Sequence, residues 1–205
     1  MRQAMNKSAA AHQAALGPVR ELPAQLDSTT GRLVAVLLGC LALVASSMVR
    51  VPVPGTDVPG TLQLLAVISC GLWLRPAMAA YACGLYLLMG TLGLPVFAAG
   101  SAGLFGMTGG YLAGFLLAAV VVSVIRGRWA SRGFAVRAGL ASFVGLAIVL
   151  TAGTLWRSVW LGSVSAAVAT SVAPFLLKGL VEAGLACGAV MAARAASGSV
   201  GGGRS

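Results

Sequence analysis

Residues 107–128 read MTGGYLAGFLLAAVVVSVIRGR. No charged side chain occurs from Met107 to Ile125, and Arg126 and Arg128 follow directly. A membrane-spanning helix needs roughly 17–25 mostly apolar residues, and basic residues collect beside such spans. This stretch therefore predicts a transmembrane helix over about 107–125.

Five further apolar stretches flank this helix, so the sequence predicts an all-α polytopic membrane protein with about six transmembrane helices. Of its 205 residues, 59% are hydrophobic and only 9% are charged, against about 25% charged in soluble domains. Pro174 is expected to break the last stretch into a short approach segment and a final helix. The five stretches cover about 33–49, 61–74, 77–94, 138–155 and 161–193.

The distribution of basic residues predicts that both termini are cytoplasmic, because Lys and Arg concentrate in cytoplasmic segments. This bias accounts for the net charge of +10, so the charge does not indicate a nucleic-acid-binding protein. We expect a flexible cytoplasmic tail over 1–30, a membrane domain over 31–195 and a disordered Gly/Ser-rich tail over 196–205. The external loops, 50–60 and 95–110 among them, carry only Arg50 and Arg157, while the inside segments carry Arg2, Lys7, Arg20, Arg32, Arg75, Arg126, Arg128, Arg132, Arg137, Arg194 and Arg204.

The inventory of reactive side chains argues against an enzyme. The single histidine, His12, lies in the polar N-terminal segment, and no phosphate-binding GxxxxGK[ST] loop is present. The four cysteines form no CxxC pair, which disfavours a metal site. Only Lys178 and Glu182 place charge inside a predicted span, so we predict no catalytic residue, no metal and no cofactor.

An uncharged, glycine-rich loop over about 96–110 is the first candidate binding element. Irregular backbone at membrane depth persists only where protein buries it or where it lines a cavity. The loop is therefore interpreted as a cradle for a small molecule, with an ordinary external linker as the alternative. Its candidate ligand contacts are Phe97, Gly100, Ser101, Thr108, Gly109 and Tyr111.

Two polar pairs form the second candidate. Lys178 and Glu182 are four residues apart on one helix face, and charges inside membrane helices mark functional sites by default. They contact a ligand, or they form a structural ion pair. Near the second helix, Thr61 is a candidate N-cap, and Gln63 is a candidate pocket residue.

The first helix carries the small-xxx-small pairs Ala35/Gly39 and Ala42/Ser46. Such surfaces let another helix approach closely. The approaching helix belongs either to the same bundle or to another subunit.

Several segments together resemble the biotin transporter family called BioY, over roughly residues 33–194. The resemblance rests on the order and spacing of Val58-Pro59-Gly60-Thr61-Leu62-Gln63, Gly93-Leu94-Pro95-Val96-Phe97, Thr108-Gly109-Gly110-Tyr111-Leu112 and Pro174-Phe175. It implies a six-helix substrate-capture subunit (S component) of an energy-coupling-factor (ECF) importer. Such a subunit binds biotin from outside, and a transmembrane coupling protein and two ATPase subunits drive import. Docking of the coupling protein would use the small residues of the first helix.

The sequence departs from that family at its last helix. Gly179 stands where the family usually has an Asp, and Glu182 stands where it has a Lys. Lys178 lies one residue before the missing Asp, so the order of charges is reversed. Met107 also replaces a usual proline. Either Lys178 and Glu182 meet the same ligand groups from altered positions, or the ligand is a related vitamin or a biotin precursor. A non-transport structural subunit is the further alternative.

Overall fold

The computed structural model describes residues 28–53, 60–98, 103–128 and 133–200, and these residues form a bundle of six α-helices. The predicted all-α class is confirmed. A two-stranded antiparallel ribbon, β1 (Arg50–Val51) and β2 (Gly60–Thr61), joins the first two helices. The helices are α1 (Thr29–Met48), α2 (Gln63–Trp73), α3 (Pro76–Thr91), α4 (Gly109–Arg128), α5 (Phe134–Leu161) and α6 (Val164–Val200).

Four of these helices, α1, α4, α5 and α6, are long and apolar enough to cross a membrane. At 1.5 Å per residue, α2 and α3 measure about 16 and 24 Å, shorter than a hydrocarbon core of about 30 Å. Large apolar side chains face outward on the spanning helices, such as Leu37 on α1 and Leu177 on α6. Lipid is the solvent that suits such a surface.

The helices alternate in direction, so their ends gather at two opposite ends of the bundle. We call the end with the β1–β2 ribbon the outer end and the end with the α4–α5 connection the inner end, after the predicted orientation. Helix α2 begins at Gln63, two residues after the ribbon. Its first residues face α6, whose Glu182 accepts a hydrogen bond from the backbone N–H of Leu65.

The predicted break at Pro174 is wrong. Helix α6 is one continuous helix, and Pro174 lies inside it. Membrane helices tolerate proline where neighbouring helices, Ser or Thr side chains or local helix adjustments satisfy the backbone groups that it frees. The helix also reaches Val200, so residues 196–200 of the predicted tail are helical, while residues 1–27 and 201–205 lie outside the described residues.

The predicted loop between the fifth and sixth helices is also much shorter than expected. Helix α5 continues to Leu161, and Gly162 ends it in the left-handed conformation. Arg157, which the sequence places in an external loop, is instead a buried residue of α5. Its Nε donates a hydrogen bond to Thr170 Oγ1 of α6, at 3.2 Å. A polar partner on the adjacent helix thus accounts for an arginine within the span.

The inner arginine-rich loop is also shorter than predicted, because the two helices that flank it include several of its arginines. Arg126 and Arg128 belong to α4, and Arg137 belongs to α5. The long aliphatic part of an arginine side chain packs on apolar surface while its head remains polar. The helices therefore extend past the apolar runs that predict them.

Candidate functional site

A cavity lies between α2, α4, α5 and α6, roofed by residues that precede α4. Its volume is about 80 Å³, and it opens to the outside. Among the described residues, Lys178 is the only charged side chain in its lining. The lining comprises Thr61, Gln63, Leu64, Phe97, Ala98, Thr108, Tyr111, Leu112, Phe115, Val149, Leu150, Phe175, Lys178 and Gly179.

Lys178 and Glu182 join α6 to the start of α2. Lys178 Nζ donates to Glu182 Oε1 and to the carbonyl oxygen of Thr61, both at 2.5 Å. Glu182 is 2% exposed, and its Oε2 accepts a hydrogen bond from the backbone N–H of Leu65 at 3.3 Å. Leu65 is the third residue of α2, and the first N–H groups of a helix lack partners within that helix. Glu182 therefore stabilises the start of α2.

Lysine has three N–H donors, so one donor of Lys178 remains for the cavity that it lines. A ligand carboxylate or carbonyl oxygen is a suitable acceptor. Glu182 does not line the cavity, and it orients Lys178 from behind.

Gln63 presents a second polar group to the cavity. Its Oε1 accepts a hydrogen bond from Thr61 Oγ1 at 2.8 Å, and its Nε2 donates to the hydroxyl of Tyr86 at 2.5 Å. Tyr86 belongs to α3 and is fully buried. The Gln63 amide is therefore held in one orientation, with one N–H and one acceptor position left over.

The first residues of the glycine-rich loop, Val96 and Phe97, contact the same part of the bundle. Ser47 Oγ of α1 donates to the carbonyl oxygen of Val96 at 2.7 Å. The ring of Phe97 then packs edge-on against Tyr86, with ring centroids 5.3 Å apart. A Cβ on Gly90 would lie 2.1 Å from the Phe97 ring, so only glycine admits this aromatic wall.

The opposite wall is also aromatic. Tyr111 and Phe175 face each other with ring centroids 6.2 Å apart. A Cβ on Gly153 of α5 would lie 2.2 Å from the Tyr111 ring. The absence of a side chain at Gly153 therefore leaves the space that the Tyr111 ring occupies beside the cavity.

Five of the residues proposed from the sequence as ligand contacts come together in this lining: Gln63, Phe97, Thr108, Tyr111 and Lys178. Glu182 lies one side chain behind them. Gly109 does not line the cavity, because it packs against the carbonyl group of Leu104 and the Trp156 ring. Gly100 and Ser101 lie outside the described residues.

Thr61 does not cap α2, so that interpretation is wrong. The capping position is Leu62, without a side-chain cap. Thr61 instead belongs to β2, and both its hydroxyl and its carbonyl oxygen serve the polar network. Two-residue pairing with β1 holds Thr61 too far from the helical position that a cap requires.

The small residues of α1 lie on both packed and open surfaces. Ala35 is buried. A Cβ on Gly39 would lie 3.1 Å from Ala82 of α3 and 3.3 Å from Cys70 of α2. Ala42 is exposed beside an apolar groove between α1 and α2, and Ser46 Oγ bonds to the carbonyl oxygen of Leu43 within its own helix. Gly39 thus packs within the bundle.

Sequence reasoning missed several lining residues and one support. Gln63 lies in an apolar helix, and a buried amide needs a hydrogen-bond partner. That need is the only sequence signal for the role of Tyr86. Val149 and Leu150 carry no local signal, because they resemble every other aliphatic residue of α5. For Phe175, the only signal in the sequence is the Pro-Phe element.

The arrangement suits binding rather than covalent chemistry. Its polar groups are an ammonium, an amide and hydroxyls around a mostly apolar space. No group of three or more His, Cys, Asp or Glu side chains suitable for a metal occurs in the described part of the chain. The site therefore fits an uncharged or anionic ligand with an apolar body and a few acceptor oxygens.

Comparisons with known proteins agree on one family. The family model described as BioY family matches residues 17–199. A probable biotin transporter BioY of Pyrococcus horikoshii is 35% identical over 132 residues, which is 63% of this chain and 76% of that protein. Biotin transporter BioY2 of Lactococcus lactis is 35% identical over 127 residues, which is 60% of this chain and 68% of that protein.

The fold is also similar to a solved structure. A crystal structure of the S-component for biotin from an ECF-type ABC transporter matches with a TM-score of 0.70 and 18% identity. The match covers 82% of this chain and 94% of that chain. The six-helix arrangement is thus the fold of that S-component.

Proposed function

Because the chain belongs to the BioY family, we propose that it is the substrate-capture (S) subunit of an ECF-type biotin importer. The observation that carries the proposal is the mostly apolar cavity with Lys178 as its only charged lining group among the described residues. Biotin combines an apolar ring system and chain with a polar ureido group and a carboxylate. A cavity with few polar anchors suits that combination.

Two anchors are proposed for the two polar ends of biotin. The third N–H of Lys178 binds the carboxylate in a charge-assisted hydrogen bond. The remaining N–H and acceptor position of Gln63 face the ureido group, which both donates and accepts. Phe97, Tyr111 and Thr108 form walls around the ring system. The mechanism is reversible binding, so the subunit is not an enzyme.

Import requires energy that this chain does not supply. We propose that a transmembrane coupling protein and two ATPase subunits provide it, with ATP used only by those partners and no cofactor in this subunit. The proposed location is the cell membrane, with both termini inside. The apolar groove beside Ala42 is the surface of α1 that remains open for the coupling protein.

Uptake by whole cells tests this function. Biotin-auxotrophic cells without their own transporter would receive this chain, the coupling protein and both ATPase subunits. The proposal expects accumulation of labelled biotin that falls strongly with Lys178→Met and is unchanged with Leu177→Met, a neighbour 73% exposed on the lipid side. Equal uptake with and without this chain would refute it.

The second candidate is a related vitamin or a biotin precursor, and the reversed charge order of Lys178 and Glu182 favours it. Competition against labelled biotin separates the candidates. A precursor that displaces biotin at a tenth of the biotin concentration would make the precursor the preferred substrate. A non-transport structural subunit predicts that Lys178 is replaceable without loss of any ligand.

A further inference from the structure

Trp156 of α5 is bonded to the segment that precedes α4. Its indole Nε1–H donates a hydrogen bond to the carbonyl oxygen of Gly106 at 2.8 Å, a normal distance for such a bond. The two residues are 50 positions apart in the chain. The bond therefore joins α5 to residues 103–108, which we call the roof segment.

The roof segment is a compact turn beside the cavity. It begins with a single turn of 3-10 helix, Gly103–Phe105, and the Gly106 N–H donates to the carbonyl oxygen of Gly103 at 3.2 Å. Its last residue, Thr108, lines the cavity. A Cβ on Gly103 would lie 3.3 Å from the ring of Phe97, which forms the aromatic wall. Displacement of the roof segment would thus move a lining residue and a wall contact together.

Two glycines at the start of α4 leave room for the Trp156 side chain. A Cβ on Gly110 would lie 2.2 Å from Trp156 Cβ, and a Cβ on Gly109 would lie 3.2 Å from Trp156 Nε1. The Gly109 N–H also donates to the carbonyl oxygen of Gly106 at 3.0 Å. Trp156 is therefore packed against the start of α4, with its N–H directed at the turn that leads into this helix.

The cavity is small for the class of ligand that such sites hold. Its volume is about 80 Å³, whereas small-molecule sites usually measure about 300–1,000 Å³. A vitamin therefore enters only if part of the lining moves outward. Displacement of the continuous wall helices would break many packing contacts. The roof segment is a short connection with an exposed side, since Phe105 is 82% exposed, so its movement costs the least.

We propose that Trp156 is a positioning residue for ligand entry and exit, because its indole N–H holds the roof segment beside the cavity until the ligand passes. The identity of the ligand rests on the proposed function, whereas the role of Trp156 rests on the contacts of the roof segment. Trp156 does not line the cavity, so it acts through Gly106 and Thr108. Loops that close over a small molecule commonly control its binding and release.

The location of the bond predicts how the rates change when it is lost. The bond joins two parts of this chain and does not involve the ligand, so it opposes movement of the roof segment before entry and before release alike. Its loss should raise the association and dissociation rate constants by the same factor and leave Kd nearly unchanged. That factor is about fivefold, which corresponds to about 1 kcal/mol for one hydrogen bond.

Binding kinetics of the purified full chain in detergent compare Trp156→Phe with Trp160→Phe. Phenylalanine keeps an aromatic ring without the N–H donor, and the Gly106 carbonyl keeps its bond to the Gly109 N–H, so the fold should persist. Trp160, one turn further along α5, is 53% exposed. Time courses of labelled-biotin binding, and of its release into excess unlabelled biotin, give both rate constants. We expect both to rise about fivefold in Trp156→Phe, with Kd within twofold of the parent, and neither to change in Trp160→Phe.

Hydrogen exchange of the protein without biotin gives a second measurement that needs no ligand. The amide hydrogens of Gly106 and Gly109 are bonded within the turn, so they exchange when the turn opens. They should exchange about fivefold faster in Trp156→Phe, while the amides of α2 keep parental rates. Trp156→Met, which also lacks the donor, replaces Trp156→Phe if that variant does not fold.

Three results would overturn the proposal. Parental exchange of Gly106 and Gly109 in Trp156→Phe would show that the indole bond does not hold the roof segment. Equal changes in Trp160→Phe would show a general effect of removing an indole from α5. A raised dissociation rate constant with a parental association rate constant would place Trp156 at the bound ligand. Absence of biotin binding by a folded parent protein would contradict the proposed function instead, and the exchange comparison would still decide the role of Trp156.

Discussion

Replacement of Lys178 by methionine separates the ligand-binding role of this lysine from its structural role. Methionine keeps the length of the side chain but removes all three N–H donors. Glu182, 2% exposed, then loses the positive partner that lies 2.5 Å away. It keeps only the Leu65 N–H at 3.3 Å. The second change is Glu182→Gln, which keeps an acceptor for the Leu65 N–H and removes the negative charge. The double variant combines Lys178→Met with Glu182→Gln.

The geometry gives an order of effects for the free energy of unfolding. Removal of one member of a buried ion pair costs about 3–5 kcal/mol, because the other charge stays buried and uncompensated. Replacement of both members by uncharged residues often changes the free energy of unfolding very little. We therefore expect the double variant to be more stable than Lys178→Met by at least about 2 kcal/mol. Denaturation of detergent-solubilised protein, followed by far-ultraviolet circular dichroism, measures this difference.

Biotin affinity reports the other role. A hydrogen bond to a charged group contributes about 1.5–3 kcal/mol, which corresponds to about 10- to 100-fold in affinity. That loss should appear in Lys178→Met and persist in the double variant, although the double variant recovers stability. Leu177→Met, on the lipid-facing side of the same helix, serves as the control.

Two results would contradict these two roles of Lys178. A double variant no more stable than Lys178→Met would show that Glu182 is not left uncompensated. Recovery of parental biotin affinity in the double variant would show that Lys178 acts only through the ion pair.

Two further substitutions address the walls of the cavity. Tyr86→Phe removes the acceptor for Gln63 Nε2, so it should lower the free energy of unfolding by about 1–3 kcal/mol and weaken biotin binding. Tyr81→Phe, 67% exposed on the same helix, should change neither quantity. Parental stability and affinity in Tyr86→Phe would contradict the hydrogen-bond network around Gln63. Gly153→Ala places a methyl group 2.2 Å from the Tyr111 ring, so it should weaken biotin binding at least tenfold in an equilibrium binding assay. Gly84→Ala should not, because no atom lies within 4 Å of the added methyl group. Equal effects of the two substitutions would show that the Tyr111 ring can move aside.

The helices were predictable because lipid imposes a compositional requirement that short segments reveal. The stretch around Gly109–Arg128 is apolar for longer than any soluble fold needs. The ends were less predictable. The sequence around Arg157 suggests a loop. In the structure, however, the hydroxyl of Thr170 on the next helix accepts a hydrogen bond from the buried Arg157 side chain. A local sequence window does not contain that partner.

The cavity was predictable in part. Gln63, Tyr111 and Lys178 are polar groups in apolar surroundings, and such groups indicate a function or a partner. Val149 and Leu150 line the cavity only because α5 packs against α4 and α6. Tyr86 supports Gln63 from 23 residues away, so its role depends on tertiary packing that the sequence does not display.

Equilibrium binding of labelled biotin to the purified parent protein in detergent decides whether this chain is a biotin-capture subunit. We expect saturable binding of one biotin per chain, with affinity lowered about 10- to 100-fold by Lys178→Met. Absence of saturable binding by a folded parent protein would exclude biotin as the ligand.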